Sequence, residues 1–354
     1  MAIGLDDVVA AETALSDVDG LAGRLIIRGH SLDELAGHEP PEAVLAMLFD
    51  GAFEVAPTWQ EVALARVDAF DRLSPLLPSV VSLPLYDAMR ALMGHLPDDA
   101  SLATALLLVA APAVAVPALI RLRNRLKPVA PDARRSHAAD ILRMLSGTEA
   151  TEAEAAALDT YLVTVSDHGL NASTFAARVV ASTQAGLMSS VLAAIGALKG
   201  PLHGGAPGPV LDMLDEVGTP EMAEPVLAAM LGRGDRLMGF GHRVYRVRDP
   251  RADALKTALG RLNPSPRLTL ALAVEAAALK LLKAKKPDRP LETNVEFFTA
   301  LLLDALGFPR DAFTAVFAMG RTGGWIAHAR EQAISGRLIR PKSLYVGPVS
   351  KQAA

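Results

Sequence analysis

Long segments rich in alanine and leucine favour helices through almost the whole of this chain. Both residues have high helix propensity, and the apolar–polar alternation of half-buried strands is scarce. Helix-start signals recur, because Ser31 and Glu34 form a capping box and Pro41 has the sequence context of a first-turn proline. Short strands are predicted only near residues 24–28 and 344–346. The sequence therefore predicts an all-α fold.

One uncharged stretch, residues 102–120, is long enough to cross a membrane. It contains Pro112 and Pro117 and consists largely of Ala, Val and Leu, and no second stretch of similar length accompanies it. We therefore expect a buried pair of helices broken near Pro112. Asp6 and Asp7 stand where a signal peptide would carry basic residues. A cytoplasmic protein with no membrane partner is expected.

The composition indicates a globular protein of about two domains, since a domain usually has roughly 100–200 residues and the chain has 354. It contains no cysteine, which excludes disulfides, thiolate metal sites and a cysteine nucleophile. The net charge of −4 and the aromatic content of 5% argue against a nucleic-acid partner. A multi-domain enzyme is the class that remains.

Three histidines lie in glycine-containing or polar segments rather than on apolar helix faces. They are His168 in SDHGLNAS, His203 in KGPLHGGAP and His242 in MGFGHRVYRV. Each alone is typical of a hydrogen-bonded loop histidine, but three together favour a ligand site. Their wide separation does not resemble the close pairs of metal ligands, so no metal is predicted.

A hydrolase triad is not predicted from the neighbouring residues Ser166, Asp167 and His168. Adjacent residues cannot face one another as a proton relay requires, and the sequence has no GxSxG motif. A dinucleotide-binding fingerprint and a phosphate-binding P-loop motif are also lacking.

Arginines and one acid complete the set of candidate residues. Arg251, Arg321 and Arg340 carry planar guanidinium groups that bind carboxylates through two hydrogen bonds, although each alone is more often a surface ion pair. Glu296 interrupts an apolar helical stretch, where it is either a solvent contact or a general base. Together with the histidines, the arginines suit a small di- or tricarboxylate.

Seven motifs occur in the order found in the citrate synthase family, and the chain resembles that family over essentially its whole length. They are RGHSLDELA, SDHGLNASTFAARVVAST, AAIGALKGPLHGGA, LMGFGHRVYRVRDPRA, NVEFF, FAMGRTGGWIAHAREQ and RLIRPKSLYVGP. The resemblance implies an all-α, two-domain, citrate synthase-like homodimer with the active site in a cleft. The large domain would comprise residues 1–204 and 309–354, and the small domain residues 205–308.

The resemblance also implies an activity: condensation of acetyl-CoA or propionyl-CoA with oxaloacetate, giving citrate or 2-methylcitrate and free CoA. The acyl-CoA is a co-substrate, and no tightly bound cofactor is implied. His203 would donate a hydrogen bond to the thioester oxygen, Glu296 would remove the α-proton, and His242 would polarise the keto carbonyl. Ser173 would orient His203.

Binding roles follow from the same motifs. The oxaloacetate carboxylates would be held by His168, Asn171, Arg251, Arg321 and Arg340, the last contributed by the partner subunit. The phosphates of CoA would be met by Arg243, Arg246 and Arg248. In addition, we expect the apolar segment 102–120 to contribute to the dimer contact.

Two departures from the family pattern keep an alternative open. Glu296 stands where the family has aspartate, and a misplaced base can lower the rate about a hundredfold. Pro207 and Gly208 replace the usual Asn-Glu after the catalytic histidine motif. The alternative is a paralogue of low or no activity that binds CoA or a dicarboxylate in a regulatory role.

Overall fold

The computed structural model describes residue 5 and residues 8–204, 207–242, 245, 247–287 and 291–348. The strands are β1 Ser16–Asp19, β2 Arg24–Ile27 and β3 His30–Ser31. The helices are α1 Leu32–Leu35, α2 Pro41–Phe49, α3 Trp59–Leu73, α4 Leu77–Val80, α5 Leu85–Met93, α6 Leu102–Arg123, α7 His137–Ser146, α8 Glu152–Val165, α9 Ala172–Ala181, α10 Leu187–Leu198, α11 Pro207–Val217, α12 Ala223–Arg233, α13 Pro250–Gly260, α14 Pro266–Lys285, α15 Val295–Ala305 and α16 Phe313–Ser335. Short 3₁₀ helices occur at Ser74–Leu76, Pro220–Met222 and Arg310–Ala312.

The strands form one small antiparallel sheet in the order β1-β2-β3. Ser16 pairs with Ile27, and Ile26 pairs with Ser31. The predicted strand at 24–28 is therefore confirmed, whereas the one at 344–346 is wrong. That segment is exposed and without regular structure, so it does not form the inter-strand hydrogen bonds that define a sheet.

The apolar segment 102–120 forms one continuous helix within α6, so the predicted break near Pro112 is wrong. Residues 104–120 are all buried, and α6 packs against α3, α5, α7 and α16. An interior proline costs about 3 kcal/mol, but burying each large apolar side chain returns about 1.5–3 kcal/mol. This enclosure argues against the expected dimer contact, because residues 104–120 expose almost no surface to a second subunit.

In the described part of the chain, α6 is the one helix long and apolar enough to cross a membrane. Its most apolar window is 94% buried inside the protein. It is therefore a helix of the protein core.

The helices at the functional motifs have defined ends. α9 and α10 are separate helices, since the chain leaves the helix after Ala181 and re-enters it at Leu187. The C-terminal helix α16 spans Phe313–Ser335. α16 packs against α6, α8, α9 and α10, which makes it a central element of this part of the fold.

The five helices from α11 to α15 pack mainly on one another. Helix α13 also packs against α8, and this contact joins the group to the rest of the molecule. We propose that residues 205–308 are the small domain, with 1–204 and 309–354 as the large domain. Helix α11 begins at Pro207, where a missing backbone N–H costs little because the first-turn N–H groups have no partner in the helix.

Candidate active site

The hydroxyl of Ser173 joins His203 to the start of α9. His203 lies in the turn after α10, and its Nε2 atom is 2.7 Å from Ser173 Oγ. The backbone N–H of Ser173 also donates toward His203 Nε2 at 3.3 Å. A backbone N–H can only donate, so Nε2 acts as the acceptor and the proton of the neutral ring lies on Nδ1.

Burial, reinforced by the charge of Arg321, lowers the pKa of His203 to about 4. The imidazole is therefore neutral near pH 7, when its Nδ1–H can act as a hydrogen-bond donor. A neutral donor held in place is suited to a developing enolate oxygen.

Asn171 acts as the N-cap of α9. Its Oδ1 accepts from the N–H groups of Ser173 and Thr174, both at 3.1 Å, and lies 2.8 Å from Ser173 Oγ. Its Nδ2 points back to the carbonyl oxygens of His168 and Gly169, at 3.5 and 3.4 Å. The side chain thus serves the local backbone, which makes Asn171 a positioning residue between two site histidines.

His242 and Tyr245 form a ring cluster with His168. The ring centroids of His168 lie 5.9 Å from His242 and 5.6 Å from Tyr245. His242 Nδ1 accepts the backbone N–H of Tyr245 at 3.0 Å. The other ring nitrogen, Nε2, is 3.3 Å from Nη2 of Arg251, which places a positive charge beside the ring.

His168 is buried, and its Nε2 lies 3.1 Å from the Tyr245 hydroxyl. Burial holds its pKa well below the usual value, and the positive charges of Arg251 and Arg321 act in the same direction. A neutral imidazole between two cations can hydrogen-bond an anionic ligand without adding a third charge.

Arg321 is almost fully buried and incompletely satisfied. Its Nε donates to the Val165 carbonyl oxygen, but Nη2 is buried with no hydrogen-bond partner. Burial lowers its pKa to about 10, opposed by Asp167 and reinforced by the nearby charge of Arg251. A buried donor without an acceptor is costly. Two neighbouring guanidinium groups and one such donor therefore suit the binding of a small anion, which would supply the missing acceptor.

Asp249 holds Arg251 in place. Arg251 Nε and Nη2 donate to the two oxygens of Asp249 at 3.0 and 2.9 Å. Asp249 also caps α13 and accepts the N–H of Val295 at 3.2 Å. One carboxylate therefore fixes Arg251 relative to the first turn of α15.

Glu296 lies in the first turn of α15, half-buried, with its N–H bonded to the Asn294 side chain. Burial raises the pKa of its carboxyl group to about 7; Arg251 opposes this shift and Asp249 adds to it. A carboxylate that still accepts a proton near neutrality has the properties of a general base.

Backbone bonds join the loop of His242 to the loop before α15. Gly241 N–H donates to the Glu292 carbonyl oxygen at 2.7 Å, and Asn294 N–H donates to the Gly239 carbonyl oxygen at 2.9 Å. Gly239 has φ +87°, and a Cβ there would come within 2.8 Å of Phe297. Glycine is therefore required for this close approach.

Of the three candidate CoA arginines, Arg248 is the one that lies among the described residues. Arg243 and Arg246 lie outside the described residues. Arg248 donates to Glu275 at 3.0 Å and is also paired with Asp253, so its charge is already neutralised and the expectation that it meets phosphate is not supported.

Arg340, which the sequence analysis placed at the oxaloacetate carboxylates, is exposed on the segment after α16.

A buried network behind His168 escaped the sequence analysis. The Asp167 carboxylate accepts from Ser16 Oγ at 2.5 Å and lies 3.1 Å from His328 Nε2. His328 Nδ1 in turn accepts from Arg178 Nε at 2.9 Å. Although burial opposes ionisation, His328 and the surrounding donors hold the pKa of Asp167 below its usual value. The network anchors the backbone that carries His168.

Ser166 and Asp167 have hydrogen-bond partners other than His168. Ser166 Oγ donates to the Val163 carbonyl oxygen and Asp167 bonds His328, so these residues do not form a hydrolase relay with His168. Within the described ranges, no cluster of three or more His, Asp or Glu side chains has metal-binding geometry. Tyr245 and Asp249 were also missed, although both lie in the motif that contains His242.

Comparison with known proteins gives a consistent result. The family model "Citrate synthase, C-terminal domain" matches residues 4–342. The chain belongs to the citrate synthase family. It is 41% identical to the "Putative citrate synthase 2" of Mycobacterium tuberculosis, covering 98% of this chain and 92% of the relative. It is 36% identical to the 2-methylcitrate synthase of the same species, covering 97% and 90%.

Solved structures agree with this assignment. The citrate synthase of Thermotoga maritima superimposes with a TM-score of 0.85 at 32% identity, covering 98% of this chain and 96% of that one. A Thermoplasma acidophilum citrate synthase, solved as a ternary complex with carboxymethyl coenzyme A and oxaloacetate, gives 0.83 at 29% identity, with coverage of 98% and 96%. The predicted all-α, two-domain citrate synthase-like fold is confirmed. As a member of this family, the chain is an acyltransferase with an acyl-CoA co-substrate.

Proposed function

We propose that this chain condenses acetyl-CoA or propionyl-CoA with oxaloacetate, using Glu296, His203 and His242 as its catalytic residues. Glu296 accepts a proton from the α-carbon of the acyl-CoA while His203 donates a hydrogen bond to the thioester oxygen. The enolate carbon forms a bond to the keto carbon of oxaloacetate as the thioester carbonyl reforms, and His242 delivers a proton to the keto oxygen. Hydrolysis of the thioester then releases CoA and makes the overall reaction irreversible.

The unpartnered Nη2 of Arg321 is the observation that carries this proposal. A buried guanidinium beside Arg251 and His168 supports binding of a dicarboxylate, because a carboxylate supplies the missing acceptor. Ser173 holds His203 at the same pocket. The imidazole N–H that would donate to the thioester carbonyl of the acyl-CoA therefore lies close to the anion site. Oxaloacetate in the Thermoplasma acidophilum complex is consistent with this assignment.

The replacement of aspartate by Glu296 is compatible with catalysis. Its carboxyl group has a pKa near 7 and lies within the electrostatic reach of Arg251. Both features favour an active enzyme over the non-catalytic paralogue. One relative is named a putative citrate synthase and the other a 2-methylcitrate synthase. Acetyl-CoA and propionyl-CoA therefore both remain candidate acyl donors.

The test is a thiol-release assay that crosses acetyl-CoA and propionyl-CoA with oxaloacetate. Release of CoA that depends on oxaloacetate is expected with at least one donor, and the ratio of kcat/KM values gives the preference. A folded protein that binds oxaloacetate but releases no thiol with either donor would support the regulatory paralogue instead.

We also propose a homodimer, with the outer faces of α9 and α10 as the contact in place of the enclosed α6. These two helices pack against each other, and their half-buried outer positions carry no charged side chain. The positions are Phe175, Ala176, Val179, Val180, Met188, Ser189, Leu192, Ala193 and Ala197. Sedimentation should give the mass of a dimer, and Ala193→Glu should give a monomer. Arg340 would then reach the site of the partner subunit, and a cytoplasmic location is retained as part of the proposal.

A further inference from the structure

One helix holds two parts of the active site through residues a single turn apart. Arg321 and Trp325 both lie on α16, and residues four apart occupy the same helix face. Arg321 belongs to the proposed oxaloacetate site. Trp325 is fully buried, and its Nε1 donates to Ser173 Oγ at 3.1 Å.

The indole N–H restricts where the Ser173 hydroxyl can point its own hydrogen. An indole N–H can only donate, so it occupies one lone pair of Ser173 Oγ. Two acceptors then remain for the hydroxyl hydrogen: His203 Nε2 at 2.7 Å and Asn171 Oδ1 at 2.8 Å. In both arrangements the hydroxyl hydrogen of Ser173 points away from the indole of Trp325.

We propose that Trp325 is a positioning residue for the condensation, acting through Ser173 to keep His203 in the tautomer whose Nδ1 carries the proton. The inference rests on the proposed function, in which that proton meets the thioester oxygen. The indole N–H polarises the hydroxyl, because a hydroxyl that accepts one hydrogen bond becomes a stronger donor and a weaker acceptor of a second. Ser173 Oγ is therefore biased to donate to His203 Nε2 rather than to accept from a protonated Nε2. In the latter tautomer the backbone N–H of Ser173 would also point at a protonated nitrogen.

Loss of the indole N–H removes this polarisation. Ser173 Oγ then accepts more readily from a protonated His203 Nε2, and a ring in that tautomer has no proton on Nδ1. The thioester oxygen loses its donor while the oxaloacetate contacts of Arg251 and Arg321 remain. The expected result is therefore a fall in kcat with little change in oxaloacetate binding.

The experiment is a double-mutant cycle with Trp325→Phe and Ser173→Ala. Trp325→Phe alone should lower kcat about tenfold, the size of one hydrogen bond, with the Kd of oxaloacetate changed less than about twofold. In the Ser173→Ala background, Trp325→Phe should cause no further loss, because the two residues act in series. The matched control is Trp59→Phe, since Trp59 is 47% exposed at the start of α3 and should leave kcat unchanged.

Two results would overturn the inference. One is a loss in kcat from Trp325→Phe that is fully additive with that of Ser173→Ala. The other is a parallel loss of oxaloacetate binding, which would mean that Trp325 only supports the packing of α16. If the wild-type protein releases no thiol with any acyl-CoA, the proposed function fails; if it is active and the cycle is additive, only the role of Trp325 fails.

A shape-preserving substitution guards against misfolding of the Phe variant. The benzothiophene analogue of tryptophan, incorporated at position 325 in a Trp59→Phe protein, keeps the bicyclic shape and lacks the N–H. Histidine ¹⁵N chemical shifts, with the His203 signals assigned by a His203→Gln variant, should show protonation moving from Nδ1 toward Nε2. Unchanged shifts together with unchanged kcat would contradict the inference.

Discussion

The hydroxyl group of Tyr245 lies 3.1 Å from Nε2 of His168 and so joins the two proposed domains at the active site. His168 follows α8 of the large domain, whereas Tyr245 lies between α12 and α13 of the small one. The same tyrosine donates its backbone N–H to His242 Nδ1 at 3.0 Å. One residue therefore contacts two histidines of the proposed site.

Removing the Tyr245 hydroxyl should weaken oxaloacetate binding. In Tyr245→Phe the backbone contact to His242 is retained but the contact to His168 is lost. We expect the KM for oxaloacetate to rise about 3- to 10-fold, the equivalent of one net hydrogen bond, with a smaller change in kcat. Steady-state kinetics provide the measurement. Tyr345→Phe is the control, because Tyr345 is 69% exposed and its hydroxyl donates to the Pro348 carbonyl oxygen of the same C-terminal segment.

Removing the carboxylate of Glu296 should abolish turnover but not oxaloacetate binding. Glu296→Gln keeps the shape of the side chain and cannot accept a proton, so kcat should fall by about 10² to 10⁴. Glu296→Asp shortens the reach: turnover rises if the backbone has kept the family geometry and falls if it has adapted to glutamate. Unaltered turnover and α-proton exchange in both variants would place the base elsewhere.

The pH dependence should follow the raised pKa of Glu296. Only the ionised carboxylate accepts a proton, so kcat/KM for the acyl-CoA should level off above pH 7. Below pH 7, it should fall about tenfold per unit, because the carboxyl pKa is near 7 in the folded protein. His203, with a pKa near 4, stays neutral through this range. An activity that is flat from pH 8 down to pH 5 would exclude Glu296 as the titrating base.

The same pKa predicts a stability change with a definite sign. A carboxyl group whose pKa is raised on folding contributes stability that is fully present when the pH is below its pKa in the unfolded chain. This stability is lost as the pH rises through the folded-state pKa of about 7. Glu296→Gln should therefore raise the Tm relative to wild type at pH 8 and have little effect near pH 4. Thermal unfolding followed by circular dichroism at the two pH values tests this.

Exchanging Arg321 for lysine should weaken oxaloacetate binding although the charge is retained. Lysine cannot form two parallel hydrogen bonds to a carboxylate, and it would leave Val165 without the donor that it now has. We expect the Kd of oxaloacetate to rise at least about tenfold, as measured by calorimetry. Arg72→Lys, in an exposed pair with Asp68, serves as the control. Equal affinity in the Arg321 and Arg72 variants would remove Arg321 from the carboxylate site.

Local signals in the sequence were sufficient for the elements of the fold and for many site residues. The capping box of Ser31 and Glu34 is present because its hydrogen bonds span only three residues. His203 and Ser173 were named from their motifs, and they meet at 2.7 Å. Where local rules compete with burial, they failed: Pro112 predicted a break, but α6 is enclosed on all sides and continues through it.

The sequence by itself determined the helical character of the chain, the order of its motifs and the residue types that carry the chemistry. Only the tertiary structure decided how those residues are held. Trp325 and Ser173 are separated by 152 residues, and His328 and Asp167 by 161. Burial sets the pKa of Glu296 and leaves Arg321 with an unmet donor. Hydrogen bonds between distant segments and exclusion of water are properties of packing, and no short stretch of sequence encodes them.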